Sequence, residues 1–412
     1  MFKYIIFFTI VINCNLFAQE LTYPSKVIRI LTSDEMAGRG YVEKGDKLAA
    51  NYISSEFRTM NLQPIGDSYF QKFTLSVNTF PGVIGLQIDE TELVPGKDYI
   101  LSASCPSING KFSLHWLDST ELYTETIKKQ PNTIVCFDAT DLNEKQTEII
   151  IEKVQHQTEA IGVLVTKEKL NWEVSQTQKE YPIIKCNKSA ITNSSSSITL
   201  NIESSLLPKY ISQNVIAQIK GEIKDTFIVF SGHYDHLGKM GDKTIFPGAN
   251  DNASGIAMLL SLANHYMELG KKPKYSIAFM AFGAEEAGIV GSKHYTENPL
   301  FPLENIKTLL NLDLMGFGEK GITVVNGKVY QKEFETLSKI NQKKNYVKEV
   351  KARGKAMNSD HYYFSENGVP SFFIYTRGGP GAYHDIYDTA ETIDLNSFNN
   401  VTQLLIDYVD SK

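Results

Sequence analysis

Cysteine and tryptophan are scarce in this chain of 412 residues, which has four of the one and two of the other. Cys14 lies in the apolar N-terminal stretch, and Cys105, Cys136 and Cys186 remain, an odd number that permits at most one internal disulfide. A disulfide-stapled scaffold is excluded. No His cluster lies near these three, so a thiolate-held zinc or a Cys nucleophile is disfavoured. Positive charge is also short. The 41 Lys and Arg against 47 Asp and Glu give a net charge of -6, with no basic run dense enough to form a nucleic-acid face. Nucleic acid is therefore not expected as a partner. Nor is a membrane span: the apolar stretch Tyr4 to Ile12 follows Lys3 and precedes the small residue Ala18, the pattern of a secretory leader over residues 1–18, too short to cross a bilayer. An exported protein is expected, periplasmic or extracellular, without a transmembrane segment in the mature chain. Lipid anchoring at Cys14 is the lesser expectation, since Val11, Ile12 and Asn13 lack the small residue usual beside a lipidated Cys.

The length predicts two or three domains. Residues 19–82 read as the N-terminal part of the domain that residues 207–412 complete, helical in pattern from Leu21 to Phe73, with an amphipathic run from Gly45 to Met60 in which Leu48, Tyr52, Ile53 and Phe57 recur at helical spacing. The preceding GRGYVEKG, holding Arg39, Glu43 and Lys44 between glycines, reads as a solvated turn. Residues 83–206 change to short β-like runs with one helix near Asn143 to Gln157, a separate β-rich module whose His115 and His156 have no ligand spacing. In residues 207–412 the runs NVIAQI, DTFIVFS, YSIAFMAF, IKTLLNL, GITVV and PSFFIYT alternate with helical patterns. Their continuous hydrophobicity predicts an α/β domain, with a mainly parallel central sheet and helices on both faces.

Ligand sites in such sheets lie outside the carboxyl ends of the strands. His233, Asp235 and His236 follow DTFIVFS, Glu285 and Glu286 follow YSIAFMAF, Asp313 ends IKTLLNL, and Tyr383, His384 and Asp385 follow PSFFIYT. Asp251 and Asn252 precede the helix that starts near Ala253. Singly, each has a bland role: a satisfied core His, a solvated Glu pair, a capping Asp. Their recurrence at one end of strand after strand has none. Imidazole and carboxylate without thiolate suit zinc. The candidates outnumber the three ligands of a single catalytic zinc, so two ions sharing a carboxylate are expected.

The motifs HYD at His233 to Asp235, GANDNASG at Gly248 to Gly255, FGAEEAGIVGS at Phe282 to Ser292, NLDLMG at Asn311 to Gly316 and YHDIYDT at Tyr383 to Thr389 occur in that order. Together they resemble the co-catalytic zinc aminopeptidases of the bacterial leucyl aminopeptidase type, relatives of transferrin receptor and glutamate carboxypeptidase. Residues 83–206 resemble, by pattern only, the protease-associated domain often inserted in that family. The resemblance implies two zinc ions per chain, His233 and Asp313 on one, Glu286 and His384 on the other, and Asp251 bridging both. It implies Glu285 as general base to the activated water, and Asp235 as acceptor for the His233 ring. Tyr383 is a candidate donor to the developing oxyanion, while His236 is given a supporting or surface role and His361 none as a ligand. The loop Arg377 to Gly381 is expected to line the substrate pocket. The implied activity is a secreted aminopeptidase acting on peptides. Carboxypeptidase or dipeptidase action, glutaminyl cyclisation, and a non-catalytic receptor-like ectodomain are the alternatives on this fold.

Overall fold

The apolar runs of the C-terminal half become the strands of one sheet. In the computed structural model, which describes residues 22–123 and 127–412, nine strands build it. They are β1 (Gln63–Pro64), β2 (Phe70–Thr79), β3 (Ser205–Ile219), β4 (Ile223–His233), β5 (Tyr275–Phe282), β6 (Ile306–Leu312), β7 (Ile322–Val325), β8 (Val350–Ala352) and β9 (Ser371–Thr376). The expected leader, residues 1–18, and Cys14 lie outside the described residues.

The order is β1-β3-β5-β4-β6-β9-β7-β8, with β2 also paired to β3. β5, β4, β6 and β9 are parallel neighbours, whereas β1, β2 and β3, and the β7–β9 pair, run antiparallel. The expected parallel sheet is thus parallel at its centre and antiparallel on its flanks. β3 shows why. Its first seven residues, SLLPKYI, are exposed or half-buried and pair with β2 as an arm, and only NVIAQI enters the buried sheet beside β5. A strand wet on one side tolerates antiparallel pairing, while β5, β6 and the Phe227–His233 part of β4 are almost wholly buried between helices.

The helices are α1 (Tyr23–Leu31), α2 (Gly45–Thr59), α3 (Ser254–Glu268), α4 (Val290–Glu297), α5 (Gln331–Lys344), α6 (His361–Glu366) and α7 (Phe398–Asp410). On one face Val27, Ile53, Leu259 and Leu405 pack with Phe230 and Phe279; on the other Tyr295 and Phe364 pack with Met280, Phe282 and Leu309. Both faces are covered. In α2 the stripe is turned from expectation: Leu48 is 41% exposed, and Ala49, Ile53 and Phe57 carry the buried side.

A second, eight-stranded sheet is built from residues 84–202, together with a helix at Glu144–Gln157 that a capping box from Asn143 and Gln146 starts. One of its faces buries Ile150 and Val154 of that helix. Its other face packs Leu200, Ile184 and Trp172 with Leu237, Met240 and Phe246, residues of the segment after β4 in which Gly238–Met240 and Thr244–Phe246 pair as a two-stranded antiparallel sheet. The two sheets therefore meet in apolar contact beside the carboxyl ends of the central strands. Among the described residues no helix is long and apolar enough to cross a membrane.

Candidate active site

Every expected ligand lies past the carboxyl end of a central strand or at the entry of α3. His233 is the last residue of β4, Asp313 follows β6, Glu285 and Glu286 follow β5, and His384 lies on the loop after β9. The chain turns sharply there, because Ala284, Leu314 and His384 all take left-handed backbone conformations, with φ of 59°, 57° and 54°. Asp251 lies in the segment Ala249–Ala253 that leads into α3, and its peptide bond to Asn252 is cis. Gly248 begins that segment at φ 61°, where a Cβ would run into Asp251 O and the His236 ring.

These side chains form two triads that share Asp251. His233 Nε2 lies 3.3 Å from Asp251 Oδ1 and 3.5 Å from Asp313 Oδ1. His384 Nε2 lies 3.2 Å from Asp251 Oδ2 and 3.2 Å from Glu286 Oε2. The two carboxylate oxygens of Asp251 thus face different imidazoles. Donor atoms of His233, Asp251 and Asp313 converge as a metal-sized group, and so do those of His236, Asp251 and Glu286. His236, expected in a supporting or surface role, is fully buried, with Nδ1 2.8 Å from Glu286 Oε1. It does not line the cavity, and His384 does, so His384 is the better-placed donor for the second triad.

The chemistry of this donor set fits zinc: two imidazoles and three carboxylates, buried and aimed at one another, with no thiolate. In the metal-free chain the protons compensate. Burial works against a charged His384, yet Glu286 and Asp251 raise it to about 11, while against the same burial His384 and His236 draw Glu286 down to about 2. Burial pushes Glu285 well above the carboxylate range and Asp235 up to about 7. Burial and the surrounding carboxylates push the Tyr383 phenol up, so it keeps its proton.

Behind the triads stands a shell of hydrogen bonds. Ser359 Oγ donates to Asp313 Oδ2 at 2.8 Å and accepts from Asn311 Nδ2 at 2.8 Å, and Ser231 Oγ donates to Asn311 Oδ1 at 2.8 Å. The Asp235 carboxylate holds the turn carrying the two glutamates, accepting from the amides of Glu285 at 3.0 Å and Glu286 at 3.3 Å. The expected partner of the His233 ring is different in kind. Nδ1 lies 3.2 Å from the main-chain oxygen of Asp235 and 3.9 Å from its carboxylate, which the two amides have taken. Tyr383 is 42% exposed at the cavity wall and stacks on His384 with ring centroids 3.9 Å apart.

Residues 214–409 match the model of peptidase family M28. The chain carries a peptidase family M28 domain. Its structure resembles BSAP, a zinc aminopeptidase from Bacillus subtilis, with a TM-score of 0.71 and 21% identity over 94% of both chains. It resembles a peptidase M28 precursor from Shewanella amazonensis with a TM-score of 0.73 and 17% identity, over 95% of this chain and 93% of that one. At those identities the likeness is one of fold. A probable zinc metalloprotease from Pyrenophora teres f. teres is 36% identical over 108 residues, 25% of this chain and 22% of that protein. The matches span less than a third of the length of the first curated relatives.

Two residues important to the M28 domain's site were misread or unassigned in the sequence. Arg39, expected in a solvated turn, is fully buried. Its guanidinium donates to five carbonyls, those of Tyr234 (2.8 Å), Leu31 (2.9 Å), Pro247 (2.6 Å), Gly248 (2.7 Å) and Asp251 (3.2 Å). The signal was present in its flanks: Gly38 and Gly40 are packed against Gly238 so closely that neither has room for a Cβ. Asp388, the last acid of YHDIYDT, accepts from the amides of Asn250 at 2.8 Å and Asp251 at 3.0 Å. Arg39 and Asp388 thus grip the Asp251 loop from opposite hydrogen-bonding sides.

Proposed function

We propose that the chain is an exported, zinc-dependent aminopeptidase that binds two zinc ions, His233 and Asp313 holding one, Glu286 and His384 the other, and Asp251 shared. The observation that carries this reading is the placement of the two Asp251 oxygens, one toward each imidazole. Zinc would supply Lewis-acid polarisation of a peptide carbonyl and acidification of water. The chain's own groups do the rest. Glu285 lies in the cavity with its proton affinity raised by burial, toward the range in which a base can both take a proton and return it to the leaving amine. Tyr383, neutral and at the wall, donates to the oxygen on which charge develops. Asp235 fixes the backbone that aims Glu285.

The cavity measures about 230 Å³. That is below the roughly 300 to 1,000 Å³ of pockets that enclose drug-sized ligands, and it suits one terminal residue better than an extended peptide. Leu314, Phe373 and Tyr375 wall it, which favours an apolar side chain. The β-rich sheet of residues 84–202 fits an inserted, protease-associated-like module. The test is hydrolysis of leucine p-nitroanilide by zinc-loaded protein, with the N-acetylated substrate as control. Turnover of the free amine alone supports the proposal; no turnover with two zinc ions bound removes it.

One observation favours a second reading, dipeptidase action. Arg353 lines the same cavity, and among the described residues no carboxylate pairs with its guanidinium. It is free to receive the C-terminal carboxylate of a short substrate. A strong preference for Leu-Gly over its C-terminal amide, lost in Arg353→Leu, selects that reading.

A further inference from the structure

The segment 168–182 joins two strands of the second sheet, Gly162–Lys167 and Ile183–Asn187, and contains no regular element. Loops of that length without structure of their own are uncommon in packed domains, and those that persist are usually functional. This one is pinned against the catalytic loops. Lys169 Nζ donates to Gly381 O at 2.8 Å, Asn171 Nδ2 to Tyr383 O at 3.1 Å, and Gln176 Nε2 to Ala287 O at 2.7 Å, one residue past Glu286. Between the second and third contacts Trp172 makes a reciprocal pair: its main-chain N–H donates to His384 O at 2.8 Å, and its own carbonyl lies 3.0 Å from His384 Nδ1.

A carbonyl can only accept, so Nδ1 carries a hydrogen whatever the charge of the ring, and in the neutral imidazole that a metal needs Nε2 is the nitrogen with the free lone pair. That nitrogen faces Glu286 and Asp251. The Trp172 carbonyl is in turn held by its side chain. The indole N–H donates to Leu101 O at 3.0 Å, the ring stacks on Phe246 with centroids 4.6 Å apart, and the residue is 5% exposed.

We propose that Trp172 is a positioning residue of the metal centre: the second sheet's long loop fixes the tautomer and direction of His384, so the module completes the site rather than standing beside it. The proposal rests on His384 being a zinc ligand. Partners that orient a ligating imidazole are worth about 10- to 100-fold in metal affinity, and that is the effect to be read.

The experiment compares wild type, Trp172→Ala, Trp172→Phe and His384→Ala by zinc stoichiometry, zinc release to a chromogenic chelator and melting temperature after chelation. Wild type holding two zinc ions and His384→Ala holding one would establish the underlying reading independently; a wild type that binds none would overturn that reading itself. Trp172→Ala is then expected to release one of its two ions about 10- to 100-fold more readily, with the other unchanged. Trp172→Phe keeps the stack on Phe246 and should restore retention. In histidine-labelled zinc-loaded protein the His384 Nδ1 proton should exchange slowly in wild type and rapidly in Trp172→Ala. Retention of both ions at wild-type affinity by folded Trp172→Ala overturns the proposal. If Trp172→Ala does not fold, Lys169→Ala/Asn171→Ala decides it: selective loosening of the ion bound by His384 supports it, and unchanged release of both overturns it.

Discussion

Glu285 and Asp251 are both acids at the same centre, and their replacement should separate two kinds of failure. Glu285→Ala removes the proposed proton carrier, which lies outside the two triads, so turnover should fall by about 10²- to 10⁴-fold with zinc content nearly unchanged. Asp251→Ala removes the group facing both imidazoles, so zinc content and turnover should fall together. Atomic absorption beside a rate assay distinguishes them, and normal activity in Glu285→Ala would show the base to be misassigned. Arg39 touches no candidate ligand side chain, yet its loss takes a donor from five carbonyls, of which Gly248 O keeps the Ala253 amide at 3.2 Å. At about 1 to 3 kcal/mol for an unsatisfied buried group, Arg39→Met should cost at least about 3 kcal/mol of stability and loosen zinc through the Asp251 loop. Chemical denaturation of the zinc-loaded protein measures the first, chelator competition the second. The candidate ligands were readable because acids and imidazoles recur after strand upon strand. For Arg39 only the flanking glycines left a trace; its partners were not readable, because they are main-chain oxygens up to 212 residues away, and a carbonyl leaves no mark in a sequence.

The strand ends and the loops after them carried most of what was legible. β5, β6 and the Phe227–His233 part of β4 announced themselves as continuous apolar runs, and the candidate ligands followed from where those runs stop. Elements defined by partnership were hidden. β8 has three residues and exists through its pairing with β7, while the arm of β3 is half-wet and too polar to read as part of the sheet. The loops also hold the pH response. In the metal-free chain His384 is raised from 6.5 to about 11, and Asp235 and Asp388 from 3.8 to about 7. A group whose value is raised on folding stabilises fully below its unfolded value and loses that contribution as pH climbs through the folded one. All three shifts have that sign. The metal-free protein should therefore melt at progressively lower temperature between pH 5.5 and pH 9, values spanned by those shifts. Zinc needs the same imidazoles deprotonated, so the difference in Tm between zinc-loaded and chelated protein should widen over the same interval. A difference that narrows with rising pH would contradict the assignment of these residues as ligands.

Taken whole, the molecule joins two sheets through one apolar core and one set of polar contacts. Leu237, Met240 and Phe246 lie on the strand-end side yet pack with the second sheet, and the segment from Lys169 to Gln176 reaches back to the turns that carry His384 and Glu286. The composition change near residues 83 and 206 was visible in the sequence. The contact between the two parts was not, because Trp172 looks like any buried aromatic until its carbonyl is found beside a histidine 212 residues away. Trp172 is also one of only two indoles in the chain, the other being Trp116. With Trp116 replaced by Phe, the ultraviolet emission of the protein comes from a single ring attached to the peptide that holds His384. Titration with zinc should then change that emission in step with filling of one ion position and leave it unmoved by the other. The chain thus contains its own lamp for watching the two proposed ions arrive separately.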